Sequence, residues 1–347
     1  MRHPHHDRRG PMTDLHDRPL TLLGAYALAG VPDPGGWYAA LDEDGLGGLE
    51  HPVDPDDPGA LATTAAALPA HWALLPTTVA ATARRAGADR SYGLASDDEE
   101  GRREAVDGVA RVLAAVTRLA EAEGRQRVVA VELQSAPGPG RGSGAALARS
   151  LTELAAVAPA GLPLVVEHCD APRPWGVAEK GFLALDDEIA AVARAARDTG
   201  HPLHVGLNWG RSAIEGRSAA TPVEHARAAA GAGLLASAML SGAAGRAGRW
   251  GAPWADAHVP PHGPDPALPG PDESMLGPAE VREFLAAAGP VPLVGAKVTT
   301  RPADAPPAQR LAVARATLAV LRDALADLDT DRGADRRAAH APSRPTA

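Results

Sequence analysis

The chain has a single cysteine, Cys169, so no disulfide can form within it and the fold must rest on packing and hydrogen bonding. Aromatic residues are scarce, at 3%, while hydrophobic residues reach 45%, much of it alanine. That balance calls for closely spaced helices and makes the six Trp stand out as packing or site anchors. No apolar run approaches the ~18 residues of a membrane span. The opening, MRHPHHDRRGPMTDLHDRP, lacks the apolar segment of a signal peptide. The expectation is a cytoplasmic protein with no membrane partner. Basic charge is also in deficit: 34 Lys and Arg stand against 43 Asp and Glu, a net charge of −9. This argues against a nucleic-acid-binding surface.

Residues 1–18 and 329–347 are polar and read as disordered tails around one domain, 19–328. Met12 is an alternative start, and His3, His5 and His6 are candidates only for adventitious metal binding. Between the tails, apolar strand patterns recur at 20–28, 45–53, 71–78, 127–134, 162–169, 202–209, 234–242 and 291–300. Helical patterns separate most of them. The clearest begins in SDDEEGRREAV, where acidic residues favour the positive end of the helix dipole and Val106, Val109, Val112, Leu113 and Val116 follow helical spacing. In LDDEIAAVARAARDTG, Asp186 is the expected N-cap and Gly200 the stop. Strands alternating with helices imply a parallel sheet, and eight units in one chain imply a (β/α)8 TIM barrel. A doubly wound sheet is the alternative.

A barrel carries its active site at the C-terminal ends of its strands. Here the strand ends read GAYAL, LEHP, LPTT, VELQS, VEHCD, LNWGRS, LSG and GAKVTT, each an apolar body giving way to polar groups. Alternate strand residues share a face, so Glu132 and Gln134 point together. Glu50, Glu132, Glu167, Asn208 and Lys297 can therefore converge on one cavity. Such a set suits proton transfer on a polyhydroxy substrate or binding of a divalent cation. Glu132, Glu167 and Lys297 are the candidate catalytic residues. Glu50, Gln134, Asn208, Trp209, Arg211, Asp256 and His258 are the candidate substrate-binding residues, and Glu167 with Asp170 is the candidate metal pair. Arg211 suits an anionic group or a salt bridge with Glu215. His168 points away from Glu167 on a regular strand and reads as helix-facing or loop-bonded, and Cys169 reads as buried and inert. The long loop GRWGAPWADAHVPPHGP reads as a lid over the pocket. PGPGRGSG lacks the ending of a P-loop and reads as a βα connection.

Taken together, VELQSAP, VVEHCDA, EKGFLALDDE, LNWGRSAIEGR, WADAH and GAKVTT resemble an uncharacterised domain-of-unknown-function family of bacterial barrels. That family is similar to the xylose-isomerase-like superfamily of sugar-phosphate isomerases and epimerases. The resemblance spans about residues 20–325. It implies a TIM barrel and commonly a divalent metal (Mn, Mg, Co or Zn) held by carboxylates and a histidine. Glu167 matches the first metal-ligating glutamate of the superfamily, on strand five. Asn208, Ser241 and Lys297 stand where an acidic ligand, a histidine and a glutamate are usual. Either the metal site is rebuilt from Glu132, Asp170, Asp256 or His258, or the protein is metal-free and Lys297 supplies the positive charge. The implied activity is sugar isomerisation or epimerisation by proton transfer, with a small carbohydrate as partner. The alternatives are lyase or hydrolase chemistry through Lys297, or a carbohydrate-binding barrel without catalysis. The Ala-rich outer helices suit a homo-oligomer.

Overall fold

The computed structural model describes residues 18–28, 31, 35–176 and 178–339, with side chains through 332. Eight parallel strands close into a barrel in sequence order: β1 (Leu20–Gly24), β2 (Gly48–Pro52), β3 (Ala73–Thr77), β4 (Val131–Leu133), β5 (Leu164–Glu167), β6 (Leu203–Asn208), β7 (Leu235–Leu240) and β8 (Leu293–Ala296). β1 pairs with β8, which closes the ring. Each strand lies inside the stretch where its pattern was read. The chain is a (β/α)8 TIM barrel, and a doubly wound open sheet is excluded by that closure.

The helices are α1 (Gly35–Glu43), α2 (Ala60–Ala67), α3 (Val79–Ala88), α4 (Glu99–Glu123), α5 (Gly144–Val157), α6 (Leu185–Thr199), α7 (Trp209–Gly216), α8 (Thr221–Gly231), α9 (Pro278–Ala288) and α10 (Pro307–Ala339). In α4, Asp98 caps the N-terminus by accepting the Gly101 N–H at 2.9 Å, and Gly124 ends the helix at φ 67°. Val109, Val112, Leu113 and Val116 all face the core, as their spacing requires. Two expectations change. The N-cap of α6 is Ala184, so Asp186 lies in the first turn, where its charge still complements the helix dipole. At the other end, α10 continues past 328 to Ala339 because its helical pattern has no stop there; the expected N-terminal tail, apart from Arg18, and residues 340–347 lie outside the described residues.

Two apolar layers position the site. The larger core lies between the barrel wall and the helices and contains Leu23, Leu49, Leu74, Val131 and Val166. Their opposite-facing neighbours Leu22, Leu75, Ala130, Val165, Ala236 and Leu293 form a separate buried cluster inside the barrel. Two residues further along each strand, on the same inward face, come Gly24, Thr77, Glu132, Glu167 and Gly295. The interior thus turns from hydrocarbon to polar in one step.

Candidate active site inside the barrel

The polar layer is buried. Glu50, Glu132, Glu167, Asn208, Arg211 and Lys297 are each at most 1% exposed. Burying charge costs several kcal/mol per ion unless partners compensate, so their pairing decides their chemistry. The Lys297 ammonium lies 2.7 Å from Glu50 Oε1 and 2.8 Å from Glu167 Oε1. The other Glu167 oxygen lies 2.7 Å from the Arg211 guanidinium and accepts the Gln134 amide N–H at 3.4 Å. Gln134 is oriented in turn by Thr78, whose hydroxyl donates to its Oε1 at 2.9 Å. Gly24 leaves room for this cluster: a Cβ there would come within 3.0 Å of Lys297 Cγ and 3.1 Å of Glu50 Oε2.

These contacts separate the three glutamates. Burial disfavours the Glu167 carboxylate, but Arg211 and Lys297 outweigh it and hold its pKa near 2. Glu132 has no cationic neighbour in hydrogen-bonding contact. It accepts one bond from the Ser237 hydroxyl at 3.2 Å, and its Oε2 has no partner. Burial, then the charges of Glu167 and Glu50, push its pKa well above the carboxylate range. Of the three, Glu132 is therefore pushed furthest toward its neutral form. Glu50 lies between these extremes: burial raises its pKa against the pull of Lys297, and its Oε2 accepts no hydrogen bond. Burial opposes the charge of Lys297 as well, but Glu167 and Glu50 raise its pKa further.

Above this layer, Asn208 caps α7, accepting the Gly210 N–H at 3.0 Å, and leaves its Nδ2 without a partner. Because α7 begins at residue 209, Trp209 turns outward into the main hydrophobic core and does not face the cavity as expected. The loop after β7 supplies Asp256 and His258. Asp256 Oδ2 is 3.1 Å from Lys180 Nζ and 3.5 Å from Arg211 Nε, so it links the loops after β5 and β7 across the mouth. His258 bonds the Ser241 hydroxyl at 3.0 Å, and its ring lies against Tyr26, centroids 4.7 Å apart. Trp254 and His258 both adopt positive φ, 66° and 50°, which costs on the order of 1–3 kcal/mol per residue in such conformations. The loop after β4 lines a groove of about 570 Å³ with Arg90, Arg141 and Lys180.

The barrel interior does not fit a divalent metal. Both Glu167 oxygens are held by cations, and the Asp170 carboxylate is held by the backbone N–H groups of Glu179 and Lys180. Glu167 and Asp170 therefore do not form the expected metal pair. Glu50 and Asp256 are likewise engaged by cations, Glu50 by Lys297 and Asp256 by Lys180 and Arg211.

Sequence reasoning brought Glu50, Glu132, Gln134, Glu167, Asn208, Arg211 and Lys297 to this centre, with Asp256 and His258 at its mouth. It missed Tyr26, Lys180 and Ser237. Tyr26 lies two residues past Gly24, and Ser237 is a polar residue in an otherwise apolar strand, so both carried a signal. Lys180 comes from a loop and carried none. Arg211 pairs with Glu167 and Asp256, and its alternative partner Glu215 is taken by other groups.

A closed parallel barrel with a buried layer of carboxylates and cations at its strand ends defines a TIM barrel with a candidate site at the C-terminal ends of its strands. The chain belongs to the family described as domain of unknown function DUF4862, whose model matches residues 22–313. It is 34% identical over 229 residues to the uncharacterised protein STM3670 of Salmonella typhimurium strain LT2, covering 64% of this chain and 67% of that one. Similar solved structures include an L-ribulose 3-epimerase (TM-score 0.56, 14% identity, 94% of this chain and 100% of that one). A D-psicose 3-epimerase in the presence of D-fructose (0.54, 13%, 88% and 99%) is similar too. So is the IolI protein with a bound zinc atom (0.54, 13%, 87% and 98%). At these identities the structural likeness establishes the fold. No helix among the described residues is long and apolar enough to cross a membrane.

Proposed function

We propose that this protein is a sugar isomerase or epimerase that moves a proton at the carbon next to a carbonyl, with Glu132 as proton donor and no metal in the barrel. The observation that carries the reading is the set of buried polar atoms without partners. Glu50 Oε2 and Glu132 Oε2 can meet hydroxyl hydrogens or a C–H, and Asn208 Nδ2 can donate to a hydroxyl oxygen. Leaving such atoms unpaired costs about 1–3 kcal/mol each, so a polyhydroxylated ligand recovers what the empty layer loses. The 3-epimerases with the same fold act on small sugars, in keeping with this reading.

Glu132, Glu167 and Lys297 are the candidate catalytic residues of the sequence. With its pKa near 2, Glu167 is a weak base, and its task here is to hold Lys297 and Arg211 in place. The base role falls to Glu50. As the C–H bond breaks, the proton passes to Glu50 Oε2 and the electron pair moves toward the carbonyl oxygen. Lys297 and Arg211 stabilise the developing enediolate charge in a dry site, where such interactions count most. Glu132 returns a proton to the oxygen or to the neighbouring carbon. Asp256, Lys180 and His258 form the closing loop, which must open to admit substrate because the layer beneath is buried.

A panel of ketoses and aldoses incubated in D₂O tests the reading by NMR. Deuterium should enter the carbon next to the carbonyl and should fail to enter with Glu132→Gln. Lyase or hydrolase chemistry through an imine at Lys297 needs a neutral amine, and two carboxylates within 2.8 Å oppose that. A borohydride-stable adduct would revive it. A sugar that binds but returns unchanged and undeuterated would indicate a binding protein instead.

A further inference from the structure

We infer that the outer side of the β5 end carries a divalent transition-metal site, formed by His168, Glu215 and His225 and separate from the proton-transfer site inside the barrel. His168 follows Glu167 and points to the opposite face of the strand, among α6, α7 and α8. One ligand atom from each of the three residues lies within 4.8 Å of the others, the one such His, Cys, Asp or Glu group among the described residues.

Three features point to a metal. First, the ligand spacing is right. His168 Nε2 is 3.0 Å from Glu215 Oε2, and His225 Nε2 is 3.7 Å from Glu215 Oε1. Two donors each about 2.1 Å from a tetrahedral zinc lie roughly 3.4 Å apart, between those two values. At 3.7 Å the His225 contact is too long for a hydrogen bond. Second, both imidazoles are oriented from behind. His168 Nδ1 bonds Glu188 at 2.7 Å, and His225 Nδ1 bonds the Ser212 hydroxyl at 3.0 Å. Glu188 is itself held by the Ser135 hydroxyl. This carboxylate–imidazole arrangement fixes the tautomer of a metal-binding histidine and turns its Nε2 toward the ion. Third, a cavity of about 10 Å³ borders Glu215, bounded also by Asp170, Ala171, Arg173 and Arg217, with room for about one water.

Two other groups reach Glu215: the Ala171 N–H donates at 2.8 Å, and Arg173, with its side chain 39% exposed, pairs with Oε1. Two imidazoles and one carboxylate suit Zn²⁺ or Co²⁺ better than Mg²⁺ or Ca²⁺. The ion joins the end of β5 to α7 and α8 directly behind Glu167, as a structural site.

The test uses the full chain with His3, His5 and His6 replaced by alanine, which removes the adventitious sites of the N-terminus. Apo protein is titrated with Co²⁺ and Zn²⁺ and followed by visible absorption and elemental analysis. One ion per chain, a tetrahedral Co²⁺ spectrum and a higher Tm are expected. His225→Ala should cut the affinity at least 100-fold and abolish the spectrum, while Glu132→Gln should change neither. His225 lies at the edge of the cluster, so this variant leaves the His168–Glu188 pair in place. Unchanged stoichiometry in His225→Ala, or no binding by the well-folded apo protein, would overturn the inference and leave His168 as a charged link between two carboxylates.

Discussion

Glu167 and His168 are neighbours in sequence and opposites in environment. Inside the barrel a carboxylate sits between two cations, Lys297 and Arg211. Outside it an imidazole sits between two carboxylates, Glu188 and Glu215. Each is fully buried, and each is held in its charged form by its neighbours. The period-2 geometry of one strand thus serves two electrostatic designs of opposite sign, one facing the barrel interior and one facing the helices. The difference between them lies in what remains unpaired. The outer cluster is satisfied on every side of His168, whereas the inner layer leaves oxygens on Glu50 and Glu132 and an amide on Asn208 open.

The largest expected effect lies on the inner side. Glu132→Gln keeps the shape and removes the transferable proton, so kcat should fall by about 10²–10⁴ with little change in Tm. A comparable loss from Glu167→Gln with Glu132→Gln unaffected would move the proton-transfer role back to Glu167.

Lys297→Met should be next. It leaves Glu50 and Glu167 buried with Arg211 as the remaining adjacent cation, and breaking a buried pair of this kind costs about 3–5 kcal/mol. Urea unfolding reads the loss, and adding Glu50→Gln should restore part of it. No recovery in the double variant would show that Glu50 and Lys297 do not act as a pair.

The two sides should also separate by pH. The folded-state pKa of His168 is raised to about 10, because Glu188 and Glu215 outweigh its burial. Its contribution is complete below about 6.5 and is lost as pH rises toward 10. Glu167 is lowered to about 2, so its contribution is complete above about 4.5 and is lost as pH falls toward 2. Thermal unfolding across this range should therefore show His168→Leu removing the alkaline limb alone and Glu167→Gln the acid limb alone. If each variant changed both limbs, the two clusters would be one coupled network.

The smallest effect belongs to the mouth. Asp256→Asn weakens the link to Lys180 and Arg211 and should raise KM by about tenfold. An unchanged KM would remove the lid role from this loop.

Much of the fold was readable because burial in a parallel barrel leaves continuous apolar runs, and all eight were found. The inner layer was readable for a related reason: Glu132, Glu167 and Lys297 each interrupt such a run on a known face. Pairing was less accessible. His168 finds Glu188 and Glu215 on helices 20 and 47 residues further along the chain, and nothing local announces either. Asp170 looked free beside the mouth, yet the returning loop at Glu179 and Lys180 closes onto it. Trp209 was misplaced because a helix starts on the residue after the strand, where alternation ends. Side-chain direction follows from local geometry, whereas partners follow from the tertiary closure of distant segments.

The central claim is that the barrel interior transfers a proton without a metal ion, and deuterium incorporation tests it most directly. Wild-type protein and Glu132→Gln are incubated with the sugar panel in D₂O in the presence of a chelator, and the carbon next to the carbonyl is followed by NMR. The account predicts exchange by the wild-type protein and none by the variant. Exchange that requires an added divalent ion, or that persists in Glu132→Gln, would contradict it.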